Sequence, residues 1–289
     1  MKEHSRRDFV RLAAAATAVG ALPLRPGPAL AAPASACLAE AAQPGRRVPF
    51  DLGIASYTFR SFPVDQAIAM TARLRVKKIT LKDMHLPMAA TAADVEAVRA
   101  KLAAAGIELS SCGVVYMRSE ELVHKGFEYA KLAGIKMMVG VPDPPFLALA
   151  EQKVKETNIS LAIHNHGPDN NSYPSPESAY KLIEKMDKRI GLCIDVGHTQ
   201  RLGLDPAREV ERFFDRLLDV HMKDVNGSDV KGSTVECGAG IIDIPKLLRT
   251  LAKLGYKGTL HFEHEKDGKD PFPGLAESVG YVRGVMATI

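Results

Sequence analysis

Strand-like and helix-like segments alternate along the chain from Phe50 to Met286 almost without a break. The strand-like runs are short, apolar and nearly continuous, as expected for parallel strands that are covered on both faces. Eight such runs are each followed by a helical pattern, which favours a closed barrel over an open sheet. No Gly-x-Gly-x-x-Gly follows the first run, which disfavours a dinucleotide-binding sheet. We predict an α/β fold with a single (β/α)8 TIM barrel.

The predicted elements have the following bounds. The strands are Phe50–Ser56, Lys78–Leu81, Glu108–Val115, Lys136–Val141, Ile159–His164, Ile190–Asp195, Leu218–His221 and Gly258–Glu263. The helices are Pro63–Arg75, Ala92–Ala105, Ser119–Ala133, Pro145–Thr157, Pro176–Met186, Pro206–Leu217, Ile244–Leu254 and Leu275–Met286. We expect Thr91 to cap the second helix and Gly134 to end the third.

The N-terminal segment has the pattern of an export signal. A twin-arginine motif, Ser5-Arg6-Arg7-Asp8-Phe9-Val10-Arg11, precedes an apolar stretch and two small-residue cleavage sites, Ala29-Leu30-Ala31 and Ala34-Ser35-Ala36. We therefore predict a signal and processing region at residues 1–36 and the barrel at 37–289. The stretch is too short and Ala-rich to span a bilayer of about 30 Å, so we expect no stable membrane insertion after cleavage. The expected partner is the twin-arginine export machinery, and the destination is periplasmic or secreted; Cys37 leaves lipid attachment open.

Most of the positive charge belongs to the predicted signal. The full chain has a formal net charge of +4, and residues 1–31 carry +3 of it. No basic stripe remains in the barrel region, so we expect no nucleic-acid partner. Of the four cysteines, Cys112 and Cys193 fall in predicted strands, where buried thiols are common, and we expect no obligatory disulfide.

Histidines and acidic residues cluster where the predicted strands end. The groups are Lys82-Asp83-Met84-His85, His164-Asn165-His166, Asp195-Val196-Gly197-His198, His221-Met222-Lys223-Asp224 and Glu263-His264-Glu265. In a parallel barrel the carboxyl ends of the strands meet on one rim. Imidazole and carboxylate groups are common ligands of divalent metals, so the pattern predicts a metal site on that rim.

Asp195 and His221 end neighbouring predicted strands at the same height. An Asp at this place often caps a helix, but the next predicted helix begins only at Pro206, which favours a ligand role for Asp195. Glu263 and Glu265 share a face if the strand extends that far, and Glu263 is the deeper of the two.

His164 and His166 also share a face. Either both bind the metal, or one binds it while the other transfers protons. Which of the two is the ligand stays open on the residues alone.

These motifs carry a resemblance to a known family. Leu161-Ala162-Ile163-His164-Asn165-His166-Gly167-Pro168, Gly191-Leu192-Cys193-Ile194-Asp195-Val196-Gly197-His198 and Asp219-Val220-His221-Met222-Lys223-Asp224-Val225 resemble the sugar phosphate isomerase/epimerase family. That family belongs to the xylose isomerase-like barrels, which also include ketose 3-epimerases, hydroxypyruvate isomerases, inosose dehydratases and endonuclease IV. The resemblance extends from Ser56-Tyr57-Thr58-Phe59 to Pro271-Phe272-Pro273-Gly274.

The resemblance implies one divalent ion, Mn²⁺ first, with Zn²⁺, Mg²⁺ or Co²⁺ as alternatives. The implied ligands are His164, Asp195, His221 and Glu263. Epimerases usually have Glu where this chain has His164, and in this respect the chain is more similar to the inosose-dehydratase-like and keto-glycoside-processing branch. A neutral ligand leaves the ion more residual charge, and it removes half of the carboxylate pair that an epimerase uses.

The implied function is metal-stabilised enediolate chemistry of the isomerase/epimerase type on a sugar or keto-sugar. We expect His166, Lys82 and Glu265 to be catalytic and His85, His198 and Lys223 to bind substrate. One alternative is a lyase or dehydratase that performs β-elimination on a 3-keto-glycoside or inosose-like substrate. Another is a non-catalytic periplasmic sugar-binding barrel. Endonuclease activity is disfavoured, because binding DNA requires a basic track.

Overall fold

The computed structural model describes residues 48–169 and 171–289. The predicted export signal, its cleavage sites and Cys37 lie outside the described residues. Within the described ranges, none of the helices combines the length and hydrophobicity that crossing a bilayer requires.

Eight parallel strands close into a barrel, which confirms the predicted fold. Its strands are β1 Asp51–Ala55, β2 Lys78–Leu81, β3 Glu108–Met117, β4 Met137–Pro142, β5 Ser160–His164, β6 Ile190–Asp195, β7 Leu217–Met222 and β10 Thr259–Phe262. They pair in chain order, and β10 closes the circle between β7 and β1. The loop after β7, predicted only as a Gly-rich loop, contains an antiparallel hairpin of β8 Asp224–Val225 and β9 Thr234–Val235.

Helices alternate with the barrel strands. They are α1 Val64–Arg73, α2 Ala92–Ala104, α3 Glu120–Leu132, α4 Leu147–Thr157, α5 Pro176–Ile183, α6 Val196–Arg201, α7 Pro206–Arg212, α8 Ile244–Leu254 and α9 Phe272–Met286. Short 3₁₀ segments lie at Ser56–Phe59, Pro144–Phe146, Gly167–Asp169 and Phe214–Arg216. Thr91 caps α2 through a capping box, as predicted, because its hydroxyl accepts from Asp94 N while the Asp94 carboxylate accepts from Thr91 N. Gly134 follows α3 with φ of +67°, a conformation that favours glycine.

The short helix α6 was not predicted, and it corrects the argument about Asp195. The helix begins directly after Asp195, whose Oδ1 accepts a hydrogen bond from His198 N at 2.7 Å. Asp195 is therefore an N-cap. It can be a ligand as well, because capping uses Oδ1 and leaves Oδ2 for the rim.

The register of strands β5, β6, β7 and β10 places polar residues at two successive levels along the barrel. Asp195 pairs with His221, and His221 with His261, across neighbouring strands. Because residues two apart on a strand share a face, Asp219 lies one step below His221 and His261 one step below Glu263. The thiols of Cys112 on β3 and Cys193 on β6 are fully buried, as predicted.

Candidate metal centre

Four side chains from the ends of β5, β6, β7 and β10 converge on one point. They are His164, Asp195, His221 and Glu263, all buried, and one ligand atom of each lies within 4.8 Å of the others. His164 Nε2 is 3.0 Å from His221 Nδ1 and 3.5 Å from Asp195 Oδ2. Glu263 Oε2 is 3.4 Å from His221 Nδ1. The structure thus brings together the four residues predicted as ligands; their role in holding a metal stays a prediction.

The donor atoms fit a divalent ion. Two imidazole nitrogens that face each other at 3.0 Å require a proton or a cation between their lone pairs. Asp195 Oδ2 is buried and has no hydrogen-bond partner among residues 48–169 and 171–289, although Lys223 Nζ lies 2.9 Å away as an ion-pair partner. Two imidazoles and two carboxylates form a donor set that suits Mn²⁺, Zn²⁺ or Co²⁺. This group could therefore hold one divalent ion.

The Lys223 ammonium lies against the carboxylates of the centre. Its Nζ is 2.9 Å from both Asp195 Oδ2 and Glu263 Oε2, and it also contacts Glu265 Oε1. Burial alone lowers the pKa of Lys223, but the three carboxylates outweigh burial and raise that pKa well above its ordinary value. Burial likewise raises the pKa of Glu263, and the charges of Lys223 and His221 outweigh it, so the Glu263 carboxyl stays ionised.

The histidines of the centre differ in charge because their surroundings differ. Burial lowers the pKa of His164 to about 4 and that of His166 to about 3, so both rings are neutral at pH 7. Burial also lowers the pKa of His221, but the carboxylates of Glu263, Asp219 and Asp195 together outweigh burial and raise the pKa above the ordinary value. Neutral imidazoles present lone pairs, which both metal binding and proton abstraction require.

A cavity of about 340 Å³ opens beside these residues. Its lining residues are Tyr57, Lys82, Val114, Tyr116, His164, His166, His198, Glu263 and Glu265. His166, Lys82 and Glu265, the three predicted catalytic residues, therefore lie around one space. A second cavity of about 460 Å³ shares His198 and Glu265 with the first, and Lys223 and the β8–β9 hairpin also line it.

His166 is held in this cavity by its neighbours. Tyr116 Oη lies 3.0 Å from His166 Nε2, and the rings of His164 and His166 meet edge to face with centroids 4.6 Å apart. The backbone of His166 donates to Tyr173 O at 2.9 Å, which fixes the chain beyond β5. His164 therefore belongs to the four-residue cluster, and His166 lies beside it in the lining of the cavity.

Two residues that support this arrangement were missed from the sequence. The predicted third strand ended at Val115, whereas β3 continues to Met117 and brings Tyr116 to the cavity. Asn165 Oδ1 accepts from Asp195 N at 2.9 Å, and this bond ties the end of β5 to the end of β6. Asn165 could have been recognised from the alternation His-Asn-His, because its side chain must point away from both histidines.

The structure brings His85 into neither of these two cavities, whereas His198 lines both and Lys223 lines the second. Its Nδ1 lies 2.9 Å from Ser56 Oγ and its Nε2 lies 3.0 Å from Phe62 O. Both nitrogens of this buried ring are thus occupied, which indicates a structural role. Lys82, from the same sequence group, does line the cavity, where its Nζ donates to Val114 O at 3.0 Å.

Part of the chain is similar to known proteins. The family model described as the xylose isomerase-like TIM barrel matches residues 146–285, the segment that contains all four residues of the centre. The chain is 29% identical over 145 residues to the rhizopine catabolism protein MocC of Rhizobium meliloti, covering 45% of this chain and 44% of that protein. It is 29% identical over 129 residues to an inosose dehydratase of Clostridium tetani, covering 39% and 43%. The matches thus span less than half the length of these relatives.

Solved structures extend the likeness to the whole barrel. A xylose isomerase-like TIM barrel protein from Mycobacterium smegmatis, solved in complex with magnesium, superimposes with a TM-score of 0.63 at 17% identity. The superposition covers 83% of this chain and 97% of that one, and at such low identity it bears on the fold alone. The chain is therefore a TIM barrel whose fold is similar to that of xylose isomerase-like barrels, and its residues 146–285 match the model of that family.

Proposed function

We propose that this protein is a divalent-metal-dependent lyase that removes a proton beside the carbonyl of a keto-sugar or keto-polyol and then eliminates the β-substituent. One observation carries the proposal: a neutral histidine, His166, lies in a sugar-sized cavity directly beside His164 of the metal centre. Binding a sugar alone would not require a proton acceptor at that place.

His164, Asp195, His221 and Glu263 would hold the ion. When bound, a divalent ion would supply Lewis-acid polarisation of the substrate carbonyl and would stabilise the negative charge that develops on proton loss. Because these residues are buried, the charge would develop in surroundings of low dielectric constant, where electrostatic stabilisation is strong.

His166 is the proposed general base. Its Nε2 lies 3.0 Å from Tyr116 Oη and its buried Nδ1 has no hydrogen-bond partner among the described residues, so the neutral ring retains one lone pair for the proton. Burial, together with the nearby His164 ring, keeps His166 neutral with a pKa of about 3. Negative charge developing on the substrate would raise that pKa during proton transfer.

In the elimination, the α-proton passes to His166 and the C–H electron pair forms a C=C bond. The C–O bond to the β-hydroxyl breaks, and this hydroxyl leaves as water after taking up a proton. The imidazolium of His166 then carries the proton that the departing oxygen needs, and the ring can return it there as a general acid. The curated relatives named inosose dehydratase support this outcome for a related substrate class.

Isomerisation or epimerisation is the second candidate function, and the residues that line the cavity support it. Lys82 and Glu265 line the same cavity as His166, so further proton-transfer groups are available to return a proton to carbon. Both reactions begin with the same proton abstraction and differ in whether a β-substituent leaves.

The test is incubation of Mn²⁺-loaded protein in D₂O with inososes, 3-keto-glycosides and ketoses, followed by NMR. We expect unsaturated ketone products from the inososes or keto-glycosides, and none with an Asp195→Asn control. Interconversion of ketoses with deuterium on the new C–H bond would favour the isomerase. Saturable binding without turnover or deuterium exchange across the panel would indicate a sugar-binding barrel instead.

A further inference from the structure

Below the metal centre, the barrel interior contains a buried acid–imidazole pair that the proposed chemistry does not use. Asp219 and His261 precede His221 and Glu263 by two residues on their strands, and both side chains are inaccessible to solvent. His261 Nδ1 lies 2.8 Å from Asp219 Oδ1 and 3.1 Å from Oδ2. A carboxylate in the interior of a barrel is costly unless it has such a partner.

The neighbouring strands leave space for the His261 ring and contact both of its edges. Gly53 on β1 leaves the necessary space, because a Cβ at that position would lie 2.4 Å from His261 Cδ2. On the other edge of the ring, Ser110 Oγ lies 2.8 Å from His261 Nε2. The imidazole is therefore held at both nitrogens, and it holds the Asp219 carboxylate in turn.

Asp219 also faces the ligand His221. His221 Nδ1 points to the centre. Its Nε2 is buried and has no hydrogen-bond partner within the described part of the chain. Asp219 Oδ2 lies 3.8 Å from that Nε2, which exceeds hydrogen-bond length by about 0.8 Å. Histidines that bind metals almost always donate their second ring N–H to a carboxylate, a carbonyl or water, and this bond sets the ring's tautomer.

We propose that Asp219, held in place by His261, is a positioning residue for the metal ligand His221. When a metal binds, the Asp219 carboxylate would close the remaining gap, accept the Nε2–H of His221 and so keep the Nδ1 lone pair turned toward the centre. This inference rests on the metal site of the proposed function but on neither its substrate nor its reaction. A purely structural role explains the pair of Asp219 and His261 less well, because buried charged pairs add little stability compared with apolar residues of similar volume.

The first test is the Mn²⁺ affinity of Asp219→Asn, measured by calorimetry without substrate, with melting curves recorded in EDTA. We expect affinity to fall roughly 10–100-fold. Cys112→Ala, a buried change on β3, is the control that should lower the melting temperature and leave affinity unchanged. A folded Asp219→Asn protein with wild-type affinity would overturn the proposal.

A second measurement uses the wild-type protein and does not depend on how the variant folds. Long-range ¹H–¹⁵N spectra of the Zn²⁺-loaded protein should show His221 bound through Nδ1 and protonated at Nε2. Binding through Nε2, or failure to bind either ion, would overturn the inference. An inactive protein that still shows the Nδ1-bound form would refute the proposed reaction and leave the role of Asp219 standing.

Discussion

Lys223 Nζ lies 2.9 Å from Asp195 Oδ2 and 2.9 Å from Glu263 Oε2, so one ammonium group bridges two of the predicted metal ligands. The oxygens that would bind a divalent ion are thus already neutralised by a cation from the protein itself. Since Lys223 and a metal ion would share these carboxylates, the effect of removing Lys223 should depend on whether the metal is present.

We expect Lys223→Met to destabilise the protein strongly in EDTA and only slightly with Mn²⁺. Removing one partner of a buried ion pair costs about 3–5 kcal/mol, because the remaining charges lose their compensation. A bound divalent ion would restore that compensation. Thermal melts of both proteins in EDTA and in Mn²⁺ check this, and an equal loss of stability in the two conditions would show that Lys223 and the metal do not share the carboxylates.

Asp195 has two separable functions, and two variants distinguish them. Asparagine retains an oxygen that can cap α6, so Asp195→Asn should keep the fold and lose most of the bound metal. Asp195→Ala should lose the metal and also the cap, at a further cost of about 1 kcal/mol. Elemental analysis measures the metal content, and thermal melts in EDTA measure the stability that the cap contributes. Full metal occupancy in Asp195→Asn would remove Asp195 from the ligand set.

His166→Gln should keep the metal and lower turnover roughly 10²–10⁴-fold, because the variant lacks the general base. The direct readout is α-proton exchange of a bound keto-sugar in D₂O. Tyr116→Phe is the matched variant and should have a smaller effect, since Tyr116 contacts His166 Nε2 and is not itself the proposed base.

Two results would redirect the assignment of His166. Exchange at the wild-type rate would make Glu265 or Lys82 the next candidate for the base. Loss of the metal would mean that His166 is a ligand and that the two histidines of this motif have been assigned the wrong way round.

The N-terminal motif predicts export through the twin-arginine route, and we propose a periplasmic or secreted protein. Changing Arg6 and Arg7 together to lysine should leave the precursor in the cytoplasm, because the paired arginines are the recognised feature of the signal. Fractionation followed by immunoblotting measures this, with Arg25→Lys as the control outside the motif. Normal export of the double variant would exclude this route.

Much of the fold was predictable because hydrophobic periodicity is local. The predicted bounds of β2, β6 and α8 agree with the structure to the residue. β3 was predicted too short, since its last residues are held by pairing with β4, as Tyr116 pairs with Val141. α6 was missed because Gly197 and β-branched Val196 have weak helix propensity, and the Asp195 cap helps to hold it.

By itself, the sequence determined the number of β/α units and the residues that end each strand. Alternating apolar runs determine the strands, and the topology of a parallel barrel places all their carboxyl ends on one rim. Only the tertiary structure decided which atoms meet there. It placed His85 between Ser56 and Phe62, Lys223 between two carboxylates, and Asp219 between two histidines. The physical reason is that such contacts depend on strand register and barrel closure, which bring together residues far apart in the chain.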